Sequence, residues 1–266
     1  MDQKPVDRED QADVAKENLR LARRVRRLEE TLSQVESIRD TNARLLDRLM
    51  SDLDAERLRS RELLLNVLPA PIVARLDAGE TLIADRHEGV AVLLSDFVGF
   101  TEIATRLPPA ELVQQLNGLF SRFDAASLAR GVEKIKTIGD AYMAAAGLED
   151  GELRPVEAAA DLALDMLEIV DSTNGAWQIR IGIHVGPVVA GVIGSRKFAY
   201  DVWGDTVNVA SRLESTSVPG RIHVSETVAK ALPKRFRLEP RGSVALKGKG
   251  EVQTSFLLGR AASPTP

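Results

Sequence analysis

Glu133-Lys134-Ile135-Lys136-Thr137-Ile138-Gly139-Asp140-Ala141-Tyr142-Met143 alternates on both sides of a Gly-Asp pair, the pattern of two short strands joined by a tight turn. Before it, Pro109 to Ala129 places Leu112, Leu116, Leu119 and Phe123 on one side of an amphipathic helix, and after it Val156 to Val170 forms a second helix. Beyond these helices lie an apolar strand at Val90 to Leu94, a strand at Gln178 to His184 and a neighbouring strand at Val188 to Ile193. Two helices joining non-adjacent strands, with a hairpin between them, predict an α+β fold with a ferredoxin-like β-α-β-β-α-β core. A further helix is expected at Asp205 to Glu214, with later strands near Ile222 to Val224 and Gly250 to Leu257.

The N-terminal quarter has a different texture. From Asp10 to Leu65 there is neither Gly nor Pro, and Arg, Glu, Asp and Leu dominate, which predicts one long helix. Alternating steps of three and four pick out Leu21, Val25, Leu28, Leu32, Val35, Arg39, Asn42, Leu46, Leu49 and Leu53. That is a heptad seam, and a polar Asn42 within it is the kind of residue that fixes register and strand number, so a parallel two-stranded coiled coil is expected. A helix of roughly 80 Å, at 1.5 Å per residue, would overrun a domain of this size if it folded back on it. The arginines at 20, 23, 24, 26 and 27 alternate with Glu17, Glu29 and Glu30 and read as a solvated face of the coil. Leu68-Pro69-Ala70-Pro71 breaks the helix, and a short helix from Ile72 to Leu76 runs into Gly79, making a joint.

Composition excludes several chemistries. With no cysteine there is no disulfide, thiolate zinc site or cysteine nucleophile, and a metal must be held by oxygen or by one of three histidines. His87, His184 and His223 are isolated from one another and are expected to be structural, and Phe198 and Trp203 are expected in the core or an interface. A net charge of -4 argues against a protein that binds nucleic acid through bulk electrostatics. No stretch approaches the roughly 18 apolar residues that span a bilayer, so the chain is expected to be cytoplasmic, alone or as the cytosolic part of a longer sensor.

Asp96 closes the apolar strand and precedes Phe97-Val98-Gly99-Phe100-Thr101, which leads toward a helix. A carboxylate beside backbone N–H groups suits a metal bound to a polyphosphate. Asp140 stands at the hairpin tip, and a ferredoxin-like core sets the first strand beside the hairpin, so the two carboxylates can converge. Each alone is ordinary turn chemistry.

Longer segments sharpen the reading. Leu94-Ser95-Asp96-Phe97-Val98-Gly99-Phe100-Thr101, Glu133 to Asp140, Arg180-Ile181-Gly182-Ile183-His184-Val185-Gly186, Ala190 to Gly194, Tyr200 to Leu213 and Leu246-Lys247-Gly248-Lys249-Gly250 together closely resemble the class III nucleotidyl cyclases, from roughly Leu65 to Leu258. The resemblance implies that Asp96 and Asp140 bind two divalent cations, Mg²⁺ or Mn²⁺. It implies that Lys136 and Asp201 read the purine, Asn208 orients the ribose and Arg212 stabilises the transition state. Arg180 and Lys247 would contact the triphosphate, with Phe97, Gly99, Phe100 and Thr101 lining it. The organisation it implies is a coiled-coil dimerisation and signalling helix at 1–66, a transducer joint at 67–86, a catalytic domain at 87–260 and a disordered tail at 261–266. In the family, one domain supplies the aspartates and Arg180 while its partner supplies the remaining groups, so a homodimer of this chain would have two complete sites.

Adenine offers an acceptor at N1 and a donor at N6, and guanine the reverse. Lysine only donates and ionised aspartate only accepts, so Lys136 with Asp201 fits adenine. The expected function is an adenylyl cyclase that closes ATP into cyclic AMP, about 10²- to 10⁴-fold selective at roughly 1–3 kcal/mol per mismatched contact. A guanylyl cyclase and a non-catalytic nucleotide-binding signalling dimer are the alternatives, and an upstream sensor or regulator is a further expected partner.

Overall fold

The hairpin forms as expected, with β2 (Glu133–Ile138) and β3 (Ala141–Ala146) on either side of Gly139-Asp140. The computed structural model describes residues 8–149, 154–194 and 197–261, with side chains described from residue 13 onward. The chain divides into two compact units, Met1–Asn66 and Val67–Pro266.

The first unit is α1 (Arg8–Leu65), a single uninterrupted helix. The apolar seam residues Leu21, Val25, Leu28, Leu32, Val35, Leu46, Leu49 and Leu53 are each between 50% and 61% exposed, a stripe that no described residue of its own unit covers. No helix among the described residues is long and apolar enough to cross a membrane.

The second unit begins with α2 (Ala70–Asp77), entered through Pro69 and Pro71, which fit a first helical turn because its N–H groups have no acceptor there. The remaining elements are β1 (Ala84–Phe97), α3 (Phe100–Arg106), α4 (Pro109–Arg130), α5 (Pro155–Asp171), β4 (Ile179–Ile193), β5 (Ala199–Trp203), α6 (Asp205–Ser215), β6 (Ile222–Ser225), α7 (Glu226–Ala231), β7 (Phe236–Leu246) and β8 (Gly250–Arg260). They build one mixed sheet in the order β2-β3-β1-β4-β6-β8-β7, with β5 also paired to β4. The first four strands reproduce the ferredoxin-like core, with β1 between the hairpin and β4.

Strand alternation distributes the core over both faces. Ala91, Leu93 and Phe97 point to one face, where α4, α5 and α7 supply Phe123, Leu162, Met166 and Val228. Val90, Val92, Leu94 and Met143 point to the other, covered by Val202 of β5 and Ala210 of α6.

Three expectations change. Val188 to Ile193 is not a separate strand: β4 runs unbroken from Ile179 to Ile193. The Gly186-Pro187 pair looks like a strand end because proline lacks a ladder donor, but β1 bulges opposite it, with pairing stepping from His87↔Val188 to Val90↔Gly186 around Gly89 at φ 72. The first strand is correspondingly longer than Val90 to Leu94. Finally, β5, α7 and β7 are elements the sequence pattern does not announce, and the tail, apart from Ala261, lies outside the described residues.

Candidate active site

Asp96 is the penultimate residue of β1 and lies directly across the ladder from Arg180 at the start of β4. Alternation turns both toward the α6 side, and Arg180 Nη2 donates to Asp96 Oδ2 at 3.0 Å. Asp140 reaches the same place from the hairpin tip, since β3 flanks β1 with Tyr142 opposite Ser95. Gly139, at φ 64, supplies the left-handed turn residue that projects it. Burial, reinforced by the adjacent Asp96 carboxylate, raises the Asp140 pKa, while the Phe97 N–H favours its ionised form. Two carboxylates forced together in this way are an oxygen-only donor pair that a hard divalent cation relieves. No group of three or more metal-ligating side chains occurs among the described residues, and Asp96 and Asp140 are the two carboxylates that stand together here.

The side chain of Phe97 does not face this site. It is 3% exposed and packs edge-on against Trp177 with ring centroids 4.9 Å apart, so only its backbone is available there. Phe100 is half-buried against the same tryptophan. Gly99 adopts φ 69 and opens α3, whose second residue, Thr101, is exposed.

Behind Arg180 stands Glu214 of α6, with Oε1 3.4 Å from Arg180 Nη2. Burial drives its pKa up to about 7, opposed by Arg180 and assisted by the two aspartates. No motif singles out Glu214. The available signal is helical spacing: it follows Ala210 by four residues, on the stripe that α6 turns toward the sheet.

A second group lies on β2 and β5. Lys136 Nζ donates to Asp201 Oδ2 at 2.5 Å, and Asp201 Oδ1 accepts from the Val202 N–H at 2.8 Å. A third forms on α6 and the β7–β8 turn. Asn208 is exposed and Arg212 half-buried, four residues apart on one side of the helix. The Arg212 guanidinium ends 4.0 Å from where a side chain on Gly248 would begin, next to the exposed Lys247. Lys249 donates to Asp205 at 2.5 Å and ties this turn to the start of α6.

The structure therefore gathers Asp96, Asp140 and Arg180 into one cluster, Lys136 with Asp201 into another, and Arg212 beside the Lys247 turn. Among the described residues, no hydrogen bond or ion pair joins the first cluster to the others. Two of the histidines sit in hydrogen-bonded settings: His184 pairs with Ser225 Oγ at 2.8 Å and His223 Nδ1 with the Leu213 carbonyl at 2.8 Å, and burial lowers the His184 pKa and brings that of His223 down to about 4. Phe198 and Trp203 are 44% and 36% exposed, so neither is a core residue.

A profile of the adenylate and guanylate cyclase catalytic domain matches residues 82–259. An adenylate cyclase of Mycobacterium tuberculosis is 45% identical over 219 residues, covering 80% of this chain and 49% of that protein. Guanylate cyclase 2G of Mus musculus is 36% identical over 248 residues, covering 90% of this chain and 22% of that protein. The chain thus spans half or less of the length of these curated relatives. Among solved structures, the guanylate cyclase domain from Catenaria anguillulae in complex with GTP superposes with a TM-score of 0.64 at 36% identity, covering 66% of this chain and 100% of that one.

Proposed function

The chain belongs to the adenylate and guanylate cyclase catalytic domain family, and from that premise we propose that it is an adenylyl cyclase, converting ATP to 3′,5′-cyclic AMP and pyrophosphate at sites shared across a homodimer. The observation that carries the choice of ATP is the Lys136–Asp201 pair, held together at 2.5 Å with Asp201 further fixed by the Val202 N–H. Lys136 donates to adenine N1 and Asp201 accepts from the N6 amino group. Guanine would meet its N1 donor with a cation and its O6 acceptor with an anion. Guanylyl cyclases among the relatives give GTP a standing as the second reading, but these two contacts oppose it.

In the reaction the ribose 3′-oxygen attacks the α-phosphorus, a 3′-O–P bond forms, the bond to the β-phosphate oxygen breaks, pyrophosphate leaves and the 3′-hydroxyl proton is lost. Asp96 and Asp140 would hold two divalent cations, Mg²⁺ or Mn²⁺, which when bound supply Lewis acidity at the 3′-oxygen and neutralise phosphate charge. Arg180 and Lys247 bind the triphosphate, and the backbone from Phe97 to Thr101 flanks it. Asn208 orients the ribose. One helical turn on, Arg212 places a planar, multi-donor cation against the charge that builds on the α-phosphoryl group.

The clusters come from two copies of the chain: Asp96, Asp140 and Arg180 from one, and Lys136, Asp201, Asn208, Arg212 and Lys247 from the other. The exposed seam of α1 pairs as a coiled coil and holds the copies together. Residues 1–66 and the joint at 67–86 relay a signal from an upstream sensor or regulator to the catalytic unit at 87–260, in the cytoplasm. Incubating the purified chain with ATP or GTP and Mg²⁺ or Mn²⁺, with products identified by mass spectrometry, tests the assignment. Cyclic AMP from ATP is expected. Preferential cyclic GTP would move the assignment to the second reading, and no product would make the chain a non-catalytic nucleotide binder.

A further inference from the structure

Among the described residues, Arg180 and Glu214 each carry a buried polar atom without a hydrogen-bond partner: the guanidinium Nε, a donor, and the carboxylate Oε1, an acceptor. The two residues already touch, because Arg180 Nη2 lies 3.4 Å from that same Oε1, within ionic reach but not aligned as a hydrogen bond. Orphaned buried groups cost free energy, and here the orphan donor and orphan acceptor are complementary and adjacent. Arg180 Nη2 donates instead to Asp96 Oδ2 at 3.0 Å. Arg180 Nη1 makes a long contact of 3.5 Å to the Ser215 carbonyl.

Glu214 has little freedom to retreat. Its residue is 9% exposed, and α6 lies so close to β4 that a Cβ on Gly182 would come within 2.2 Å of the Glu214 backbone nitrogen. Arg180 is likewise fixed by its register with Asp96 on the neighbouring strand. The movable part is the guanidinium, and a small rotation would set Nε and Nη2 against the two oxygens of Glu214 in the bidentate fork that arginine and carboxylate favour.

We propose that Glu214 is the positioning residue for Arg180: it takes the inner edge of the guanidinium as a two-point pair, so that Asp96 is released to cations and the outer N–H groups of Arg180 face the triphosphate. The site then has two arrangements. In the one seen here Arg180 neutralises Asp96. In the engaged one Glu214 holds Arg180, and both orphan atoms are satisfied. This inference rests on the cyclase reading for the identity of the triphosphate site.

The test compares the wild-type chain with Glu214→Gln, Arg180→Ala and the double variant. Glu214→Gln keeps the side-chain shape and removes a buried charge, so its thermal unfolding should not fall. Glu214→Asp, which keeps the charge on a shorter stem, serves as a partial rescue. Calorimetry with Mn²⁺ and inorganic tripolyphosphate reads binding without turnover. Glu214→Gln should weaken that binding about tenfold, the size of one charge-assisted hydrogen bond, and raise KM more than it lowers kcat. In the Arg180→Ala background the same substitution should do nothing further, whereas a purely structural role would persist there. Wild-type affinity in Glu214→Gln, an undiminished effect in the Arg180→Ala background, or no tripolyphosphate binding by the wild type would each overturn the proposal. Absence of any cyclic nucleotide from wild type would sink the cyclase reading separately.

Discussion

In the proposed reading, Lys136 and Asp201 would act on specificity through donor and acceptor direction rather than through size. Lys136 projects from β2 and is 39% exposed at its side chain, while Asp201 sits at 12%, so the aspartate is the fixed member and the lysine the adjustable one. Replacing Lys136 with Glu turns the donor into an acceptor, which opposes adenine N1 and suits the guanine N1–H. The ratio of kcat/KM for ATP over GTP should fall about 10²-fold, as expected when one buried contact is lost and one is gained. An unchanged ratio in a folded, active variant would remove this pair from purine selection. At this scale the chemistry of the residues is legible in the chain: aspartates, lysines and arginines can be singled out by type and local setting. Their contacts are not. The Lys136–Asp201 bond spans β2 and β5, and β5 is too short for its pattern to stand out. Glu214 carries no signal beyond its helical spacing, because its burial depends on which side of α6 turns to the sheet.

That side is fixed by two glycines on another element. Gly182 and Gly186, four apart on β4, face α6 together, and a Cβ on them would meet the Glu214 nitrogen at 2.2 Å and Thr206 Oγ1 at 2.7 Å. A β-carbon on Gly182 would also sit 2.4 Å from the Ala210 carbonyl oxygen. Backbone atoms cannot swing aside as a side chain can, so Gly182→Ala should cost at least the about 1–3 kcal/mol typical of overpacking. Urea unfolding should show a lower midpoint, accompanied by lost activity as Asn208 and Arg212 shift with the helix. Retained stability would mean that α6 does not lie on β4 in this way. Elements with strong periodicity, such as α1, α4, α5 and the hairpin, are readable from sequence because their patterns are local. The unbroken course of β4 is not, because the feature that accommodates Pro187 is the Gly89 bulge in β1. The exposed seam of α1 makes its own prediction at this scale. A chain begun near Leu65 should associate more weakly in sedimentation and lose activity at low protein concentration, and full activity there would deny the helix its pairing role.

For the whole molecule, the proposed reading has one chain carry both halves of a shared site. Arg180 reaches Glu214 and the Ser215 carbonyl of α6, but among the described residues no hydrogen bond or ion pair joins Asp96, Asp140 or Arg180 to Lys136, Asp201, Asn208, Arg212 or Lys247. A symmetric pair would bring each half against its complement twice. The most direct test is complementation. Asp96→Ala and Asn208→Ala chains, each folded and inactive alone, are refolded together and assayed for cyclic AMP. Shared sites predict recovered activity, with one intact site in every mixed dimer. Mixed dimers that form and stay inactive would contradict the account.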